Sequence, residues 1–317
     1  MNEFSPAPLF NTYGGTQKMD GIIPLYKERG MTSFDCVSRL RRILKTRKIG
    51  HSGTLDPAVD GVLPICVGNA TKAVEYLMQS GKIYQGELVI GRATETEDFD
   101  GRVVAQTPVP APLSDEQVRA AMAKLTGKIT QVPPMYSAVK VNGKRLYEYA
   151  RAGETVERPA RQVTITEFTL VRSHYDQEHQ EQHVFFKVAC SKGTYIRTLV
   201  VDLARQLGYP GAMKWLTRLA SGGFTLDQTL SLADIQTAVA NQTIKRYLYP
   251  LDYALKDYPA VELTDQQWRA VQNGGWLTAA ELSPAAAEVV LKYDGQVKAL
   301  YHQADNHYQP TKMFSVN

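Results

Sequence analysis

Cysteine is scarce in this chain, and no apolar run is long enough to span a bilayer. Cys36, Cys66 and Cys190 lie far apart in a spacing that matches no zinc motif. Disulfides and a structural metal are therefore not expected, and with no secretory leader in view the composition suits a reducing cytoplasm. Charge of one sign is also missing, because 36 basic residues stand against 32 acidic ones for a net charge of +4. So mild an excess means that binding to a polyanion must rest on local patches. What is plentiful is core-forming material: 317 residues with 44% hydrophobic content suffice for one large domain and one small one.

The most informative stretch runs from Lys48 to Gly61 and seats one carboxylate, Asp56, between a Gly-rich approach and Pro57. Gly50 and Gly53 admit backbone conformations closed to other residues, while Pro57 pushes Asp56 into an extended conformation. Such a segment is ordinarily a plain turn. A calcium loop is disfavoured because Ala58 and Val67 fall where oxygen ligands are required, and no Gly-Lys-Ser/Thr follows to make a phosphate loop.

The surroundings favour an active-site reading. Gly21 to Tyr26 reads as a strand, Gly30 as a turn, and Thr32 with Asp35 as a capping box. Cys36, Val37, Leu40, Ile43 and Leu44 then form the buried stripe of a helix to about Lys45. Its other face and the residues after it supply Arg39, Arg41, Arg42, Lys45, Arg47 and Lys48, a cationic run that reaches the Asp56 loop and suits an anionic polymer. Val62 to Val67 reads as a buried strand, Ala70 to Met78 as a helix carrying Lys72, and Lys82 to Ile90 as an alternating strand with Tyr84, Leu88 and Ile90 on one face.

Further on, Ser114 and Gln117 cap a helix that stops at Gly127, strands are expected near 162–172 and 183–191, and helices near 196–207 and 231–240. The pattern is that of an α+β body with a mixed sheet flanked by helices. Between about 131 and 160 cations and aromatics interleave, as they do where single-stranded RNA is bound. Beyond Pro250, Thr264 and Gln267 cap a short helix and Asp294-Gly295 turns a hairpin, in which Val289, Leu291 and Tyr293 pair in pattern with Val297, Ala299 and Tyr301. Glu95, Glu97, Asp98 and Asp100 crowd together without histidine or cysteine, which reads as a solvated acidic loop rather than a metal site.

Gly50-His51-Ser52-Gly53-Thr54-Leu55-Asp56-Pro57, Gly61-Val62-Leu63-Pro64, Lys82-Ile83-Tyr84 and Lys192-Gly193-Thr194-Tyr195-Ile196-Arg197 together resemble the bacterial tRNA pseudouridine-55 synthases of the TruB type. The resemblance runs from about Met19 to the C-terminus. Residues 1–18 lie outside it and are expected to be a leader or extension. It implies a catalytic domain over 19–250 with a thumb-like insertion at about 131–160, and a small β-rich, PUA-like RNA-binding domain over 251–317.

The activity implied is isomerisation of the T-loop uridine at position 55 of tRNA by a stand-alone, monomeric, cytoplasmic enzyme with no cofactor, metal or obligatory protein partner. Asp56 is implied as the nucleophile and Arg197 as the cation that pairs with it. Because the uridine is stacked in the folded T-loop, it must be flipped out. The resemblance assigns His51 to the vacated space, Tyr84 to stacking on the uracil and to the C5 proton, and Tyr195 and Leu216 to the pocket wall. Lys72 is expected to meet phosphate or support the loop, and Lys140, Lys144, Arg145 and Arg151 to meet the T-arm backbone. Two departures stand out: Lys27-Glu28-Arg29-Gly30 lacks the family's proline, and Thr94-Glu95-Thr96 replaces a Thr-Asp-Thr. The alternatives are a tRNA-binding or tRNA-folding protein without necessary catalysis, and a guide-RNA-dependent synthase.

Overall fold

A computed structural model describes residues 19–283 and 286–314, so the expected leader at 1–18 lies outside the described residues. The long apolar and alternating stretches assemble into one nine-stranded sheet. In spatial order run Gly21–Lys27, Asp60–Val67, Gly211–Ser221, Lys82–Ile90, Glu181–Cys190, Arg161–Asp176 and Gly127–Gln131. Two short strands, Ile49–His51 and Phe224–Thr225, pair at the sides of Asp60–Val67 and Gly211–Ser221. The sheet is mixed, because Gly211–Ser221 lies parallel to Asp60–Val67 and antiparallel to Lys82–Ile90.

Burial follows from the residue pattern. Asp60–Val67 is apolar along almost its whole length and is buried along that length, as a strand covered on both faces must be. Helices Ser33–Ile43 and Ile196–Gln206 lay Cys36, Val37, Leu40, Leu199, Val200 and Leu203 against one face, joined by Leu63, Ile65, Leu88 and Ile90 from the sheet. Ile22, Val62, Cys66, Leu77 and Phe224 pack on the other. Arg161–Asp176 alternates instead, and a bulge between Ile165 and Glu167 shifts its buried positions from Val163 and Ile165 to Phe168 and Leu170.

The expected capping boxes form at Thr32 with Asp35, Ser114 with Gln117, and Thr264 with Gln267, which fixes where three helices begin. One helix differs. Ala70 to Met78 is a 3-10 turn over Gly68–Ala73 followed by an α-helix over Val74–Gln79. Asp20 accepts from the Asn69 amide at 2.7 Å and the Thr71 hydroxyl donates to the Gly68 carbonyl, tightening that first turn.

A five-stranded sheet forms the C-terminal unit, in the order Ala260–Glu262, Glu288–Tyr293, Gln296–Ala304, His307–Met313 and Leu277–Thr278. The hairpin at Asp294-Gly295 has Val289 opposite Tyr301 and Leu291 opposite Ala299, as its pattern implies. A bulge then sets Lys292 against Val297 and Tyr293 against Gln296. This unit docks on the 68–79 segment. Tyr76 meets Tyr258 and Phe314 edge-on, and Ala73, Leu255, Val290, Leu300 and Phe314 share one apolar cluster. Lys72 donates to the Met313 and Phe314 carbonyls at 3.0 Å each, and Lys312 pairs with Glu75.

Two outcomes test this packing. A Cβ on Gly61, whose φ is +112°, would lie 2.2 Å from the Arg218 carbonyl oxygen. Gly61→Ala is therefore expected to cost about 3 kcal/mol or more in urea unfolding, against about 1 kcal/mol for Gly127→Ala, where φ is also positive but the space is open. Equal costs would mean that the close strand approach is not what requires glycine. Lys72→Met is expected to lose about 1–3 kcal/mol of stability with RNA affinity unchanged, because two charge-assisted bonds to the C-terminal unit go. Weaker RNA binding at unchanged stability would return Lys72 to a phosphate-contact role.

Candidate active site

Asp56 sits on a loop pinned from three sides. From the first turn of its helix, the buried Ser33 hydroxyl accepts from the Leu55 amide at 2.9 Å, and Leu55 itself is buried. The Pro57 carbonyl accepts from the Gly30 amide at 2.9 Å, and the Val59 amide closes back on the Asp56 carbonyl at 3.0 Å. Lys27 reinforces the turn that lacks the family's proline. Its buried ammonium donates to the carbonyls of Met31 at 2.6 Å, Glu28 at 3.0 Å and Pro57 at 3.4 Å, and burial holds its pKa below the usual lysine value. Of the two glycines before Asp56, Gly53 takes a φ of +145°. Gly50 belongs to the short strand Ile49–His51 and has no positive φ.

Opposite the carboxylate stands Arg197, in the first turn of the helix Ile196–Gln206. One of its terminal nitrogens lies 3.0 Å from Asp56 Oδ2. The same guanidinium donates to the Thr96 carbonyl at 2.9 Å and the Tyr136 carbonyl at 3.0 Å, while its Nε faces Asp98 Oδ2 at 3.7 Å. The side chain is 8% exposed against 42% for Asp56, so a fixed cation faces a carboxylate open to solvent. A planar fork held this way sets direction as well as charge.

The acidic run is solvated only in part: Glu95 and Asp100 are exposed, whereas Glu97 and Asp98 turn inward. Asp98 is nearly buried beside Arg197, and Glu97 accepts from the Thr198 hydroxyl at 3.1 Å. Burial pushes both carboxyls above their ordinary values, with Thr198 and Arg197 pulling Glu97 back and Thr96 and Arg197 pulling Asp98 back. No metal-binding cluster occurs among the described residues.

The sheet supplies the rest. Tyr84 and Arg218 are direct partners across neighbouring strands, and Leu216 lies opposite Gly86 two residues along, so strand alternation puts Tyr84, Arg218 and Leu216 on one face. Tyr84 and Leu216 are buried, 7% and 5% exposed. His51, at the end of its short strand, accepts on Nδ1 from the Gly53 amide at 3.3 Å. Burial, helped by the charge of Arg218, pushes its pKa below the ordinary imidazole value and favours the neutral ring. Tyr195 precedes the Arg197 helix. The Gln131 side chain holds both its amide and its carbonyl, and Arg161 lies 5.1 Å from its ring centroid.

The 131–160 insertion is a two-stranded ribbon, Lys140–Val141 with Lys144–Arg145, followed by the helix Leu146–Ala152. Lys140, Lys144, Arg145 and Arg151 are all exposed. Arg145 and Arg151 lie near the Tyr147 ring at 5.8 and 5.2 Å, and Lys144 pairs with Glu154 at 3.3 Å. The root of the insertion is tied to the body through Arg197 at Tyr136, and its two ends are joined to each other by Arg158, which donates to the Pro133 carbonyl at 3.0 Å.

Asp56 and Arg197 are thus in contact, and Tyr84 and Leu216 line one face. The expectation that Lys72 supports the Asp56 loop is corrected: its ammonium is engaged by the C-terminal unit and makes no hydrogen bond to that loop. The sequence reading passed over Lys27, Ser33, Asp98 and Arg218. For Lys27 and Asp98 a signal existed, since they stand in or beside the two segments that depart from the family pattern.

Comparison with known proteins agrees with this geometry. Residues 41–196 match the model of the TruB family pseudouridylate synthase N-terminal domain, and residues 197–256 that of the tRNA pseudouridylate synthase B C-terminal domain. Their junction falls inside the helix that carries Arg197, so both contribute to one sheet. The chain is 68% identical over 301 residues to the tRNA pseudouridine synthase B of Limosilactobacillus reuteri, covering 94% of this chain and all of the relative. It is 59% identical to that of Levilactobacillus brevis with the same coverage. Among solved structures, a chain of a Cbf5-Nop10-Gar1 complex shares the fold with a TM-score of 0.70 at 24% identity, over 93% of this chain and 85% of that one. With its Asp56 loop and Arg197 helix inside the matched region, the chain belongs to the TruB family of pseudouridylate synthases.

Proposed function

We propose that the chain is a stand-alone tRNA pseudouridine synthase that isomerises the T-loop uridine at position 55. The observation that carries the reading is the 3.0 Å contact between a half-exposed Asp56 and a buried, four-fold-tethered Arg197, beside a wall made by Tyr84 and Leu216. The reaction breaks the N1–C1′ bond of uridine, turns the base and joins C5 to C1′. The C5 proton is lost and N1 gains one, so the product is an isomer. Asp56 engages the ribose, Arg197 holds the carboxylate towards the sugar, and Tyr84 lies against the flipped base and relays the C5 proton, its phenol oxygen accepting that proton as its own O–H proton passes on towards N1.

His51, neutral and with its ring tied to the loop, fills the stack that the base leaves, at lower desolvation cost than a charged ring. The body over 19–250 carries this chemistry. Its insertion at 131–160 closes on the T-arm through Lys140, Lys144, Arg145 and Arg151, with Tyr195 at its root. Residues 251–317 make a PUA-like unit with eight acids against five bases, so the positive charge that attracts RNA sits on the body. No helix among the described residues is long and apolar enough to cross a membrane, and we place the enzyme in the cytoplasm as a monomer.

A purely tRNA-binding role and a guide-RNA-dependent role are disfavoured. The relative at 68% identity bears the name tRNA pseudouridine synthase B over its whole length, whereas the Cbf5 complex chain is 24% identical and supports the fold alone.

Asp56→Asn is expected to abolish pseudouridine formation by the purified chain on unmodified tRNA, with nothing else added, while Kd stays within about threefold. Product formation at the native rate would remove Asp56 from the nucleophile role. Neutralising Lys140, Lys144, Arg145 and Arg151 one at a time is expected to weaken RNA binding and flatten its salt dependence by up to about one unit of slope each. The single-turnover rate at saturating RNA should hold. A loss confined to that rate would place these cations in the chemical step.

A further inference from the structure

Arg218 is the largest fully buried side chain of the body, at 1% exposure, and it has no ion pair among the described residues. An arginine so deeply buried is ordinarily matched by a carboxylate, because an unpaired buried charge is costly. Here carbonyl oxygens stand in for it. Nε donates to the Val62 carbonyl at 2.7 Å, Nη2 to the Gly53 carbonyl at 3.3 Å and Nη1 to the Thr54 carbonyl at 3.5 Å. The first bond joins two sheet strands. The other two reach the loop that ends on Asp56.

We propose that Arg218 is a positioning residue of the isomerisation: by tying Gly53 and Thr54 to the strand beside Tyr84, it sets where the Asp56 carboxylate stands relative to the Tyr84 phenol. The proposal rests on the functional reading above. Three further observations support it. Arg218 and Tyr84 are direct cross-strand partners. A Cβ built on Gly53 would lie 3.8 Å from Nη1, so the loop backbone rests against the guanidinium. Burial raises the Tyr84 phenol, and the positive charge of Arg218, its direct cross-strand neighbour, works against that rise.

The fork is what the position requires. The bonds to Val62, Thr54 and Gly53 leave three different nitrogens of one guanidinium, so the three carbonyls are reached from separate points, which the single nitrogen of an ammonium cannot match. Arg218 is also the second-largest cause, after burial, of the depressed values at His51 and at Lys82, which is lowered to about 8. One cation thus borders the loop, the candidate wedge and the candidate stacking tyrosine.

The test compares Arg218→Lys and Arg218→Met with the native chain on an unmodified T-arm RNA. It records single-turnover rate at saturating RNA, Kd and folded fraction. The expected result is a rate about 100-fold lower for Arg218→Met and about tenfold lower for Arg218→Lys, with Kd within about threefold. A second readout needs no catalysis: 3-fluorotyrosine placed at position 84 and titrated by 19F NMR. The phenol should ionise at higher pH in Arg218→Met than in the native chain, since a positive neighbour is gone while Asp56 and Cys190, the other titrating groups that face it, remain.

Arg218→Lys at the native rate would overturn the proposal, whether or not Arg218→Met folds. So would a rate loss matched by lost folded fraction or lost RNA affinity, or an unmoved phenol titration. If the native chain itself forms no pseudouridine, it is the functional reading that fails, and the fluorine titration still decides whether Arg218 faces Tyr84.

Discussion

The site depends on one guanidinium more than on any other group. Arg197 is nearly buried, and its donors reach a carbonyl in the acidic turn, a carbonyl at the root of the insertion, and the carboxylates of Asp56 and Asp98. Removing such an ion from water costs several kcal/mol, which only good geometry and several hydrogen bonds offset. The consequence is spatial. Three segments distant in the chain, around residues 56, 96 and 136, are held to one point on the first turn of a helix.

Asp56 is held differently. Its backbone is fixed by Ser33, Gly30 and Val59, whereas its carboxylate, 42% exposed, is left open on the solvent side. Rigid backbone under an accessible side chain is the arrangement a nucleophile needs, because orientation is set before substrate arrives and little ordering remains to be done on binding. The wall beside it is equally fixed, since Tyr84 and Leu216 stand on paired strands in the centre of the sheet rather than on loops. The insertion carries exposed cations and little core of its own. Its attachment through Arg197 ties its root directly to the residue that faces Asp56.

Much of this was legible in the residues. Capping boxes at Thr32, Ser114 and Thr264 marked helix starts because their signals are local, and Lys82–Ile90 announced itself by alternation. Asp56 could be singled out because Gly53 admits an unusual backbone conformation before it and Pro57 restricts the backbone after it. Other features were not legible because they depend on contacts distant in sequence. The strand Gly211–Ser221 carries Lys214, Thr217 and Arg218 among its apolar residues, so nothing in its pattern says that it runs through the middle of the sheet. Lys72 looked like any loop-side lysine, and only the docking of residues 313 and 314 on its helix explains it. Asp98 read as solvated because the acids around it are charged alike, while its partner lies 99 residues away in the chain.

The most direct measurement is a structure of the chain bound to an unmodified T-arm RNA. The geometry requires the target uridine to be out of the loop stack and against Tyr84, with His51 in its place. Its C1′ should lie about 3–3.5 Å from an Asp56 oxygen, and the Arg197 contact should be kept. A uridine still stacked in the T-loop of the closed complex, or an Asp56 turned to solvent with Arg197 on phosphate, would contradict it.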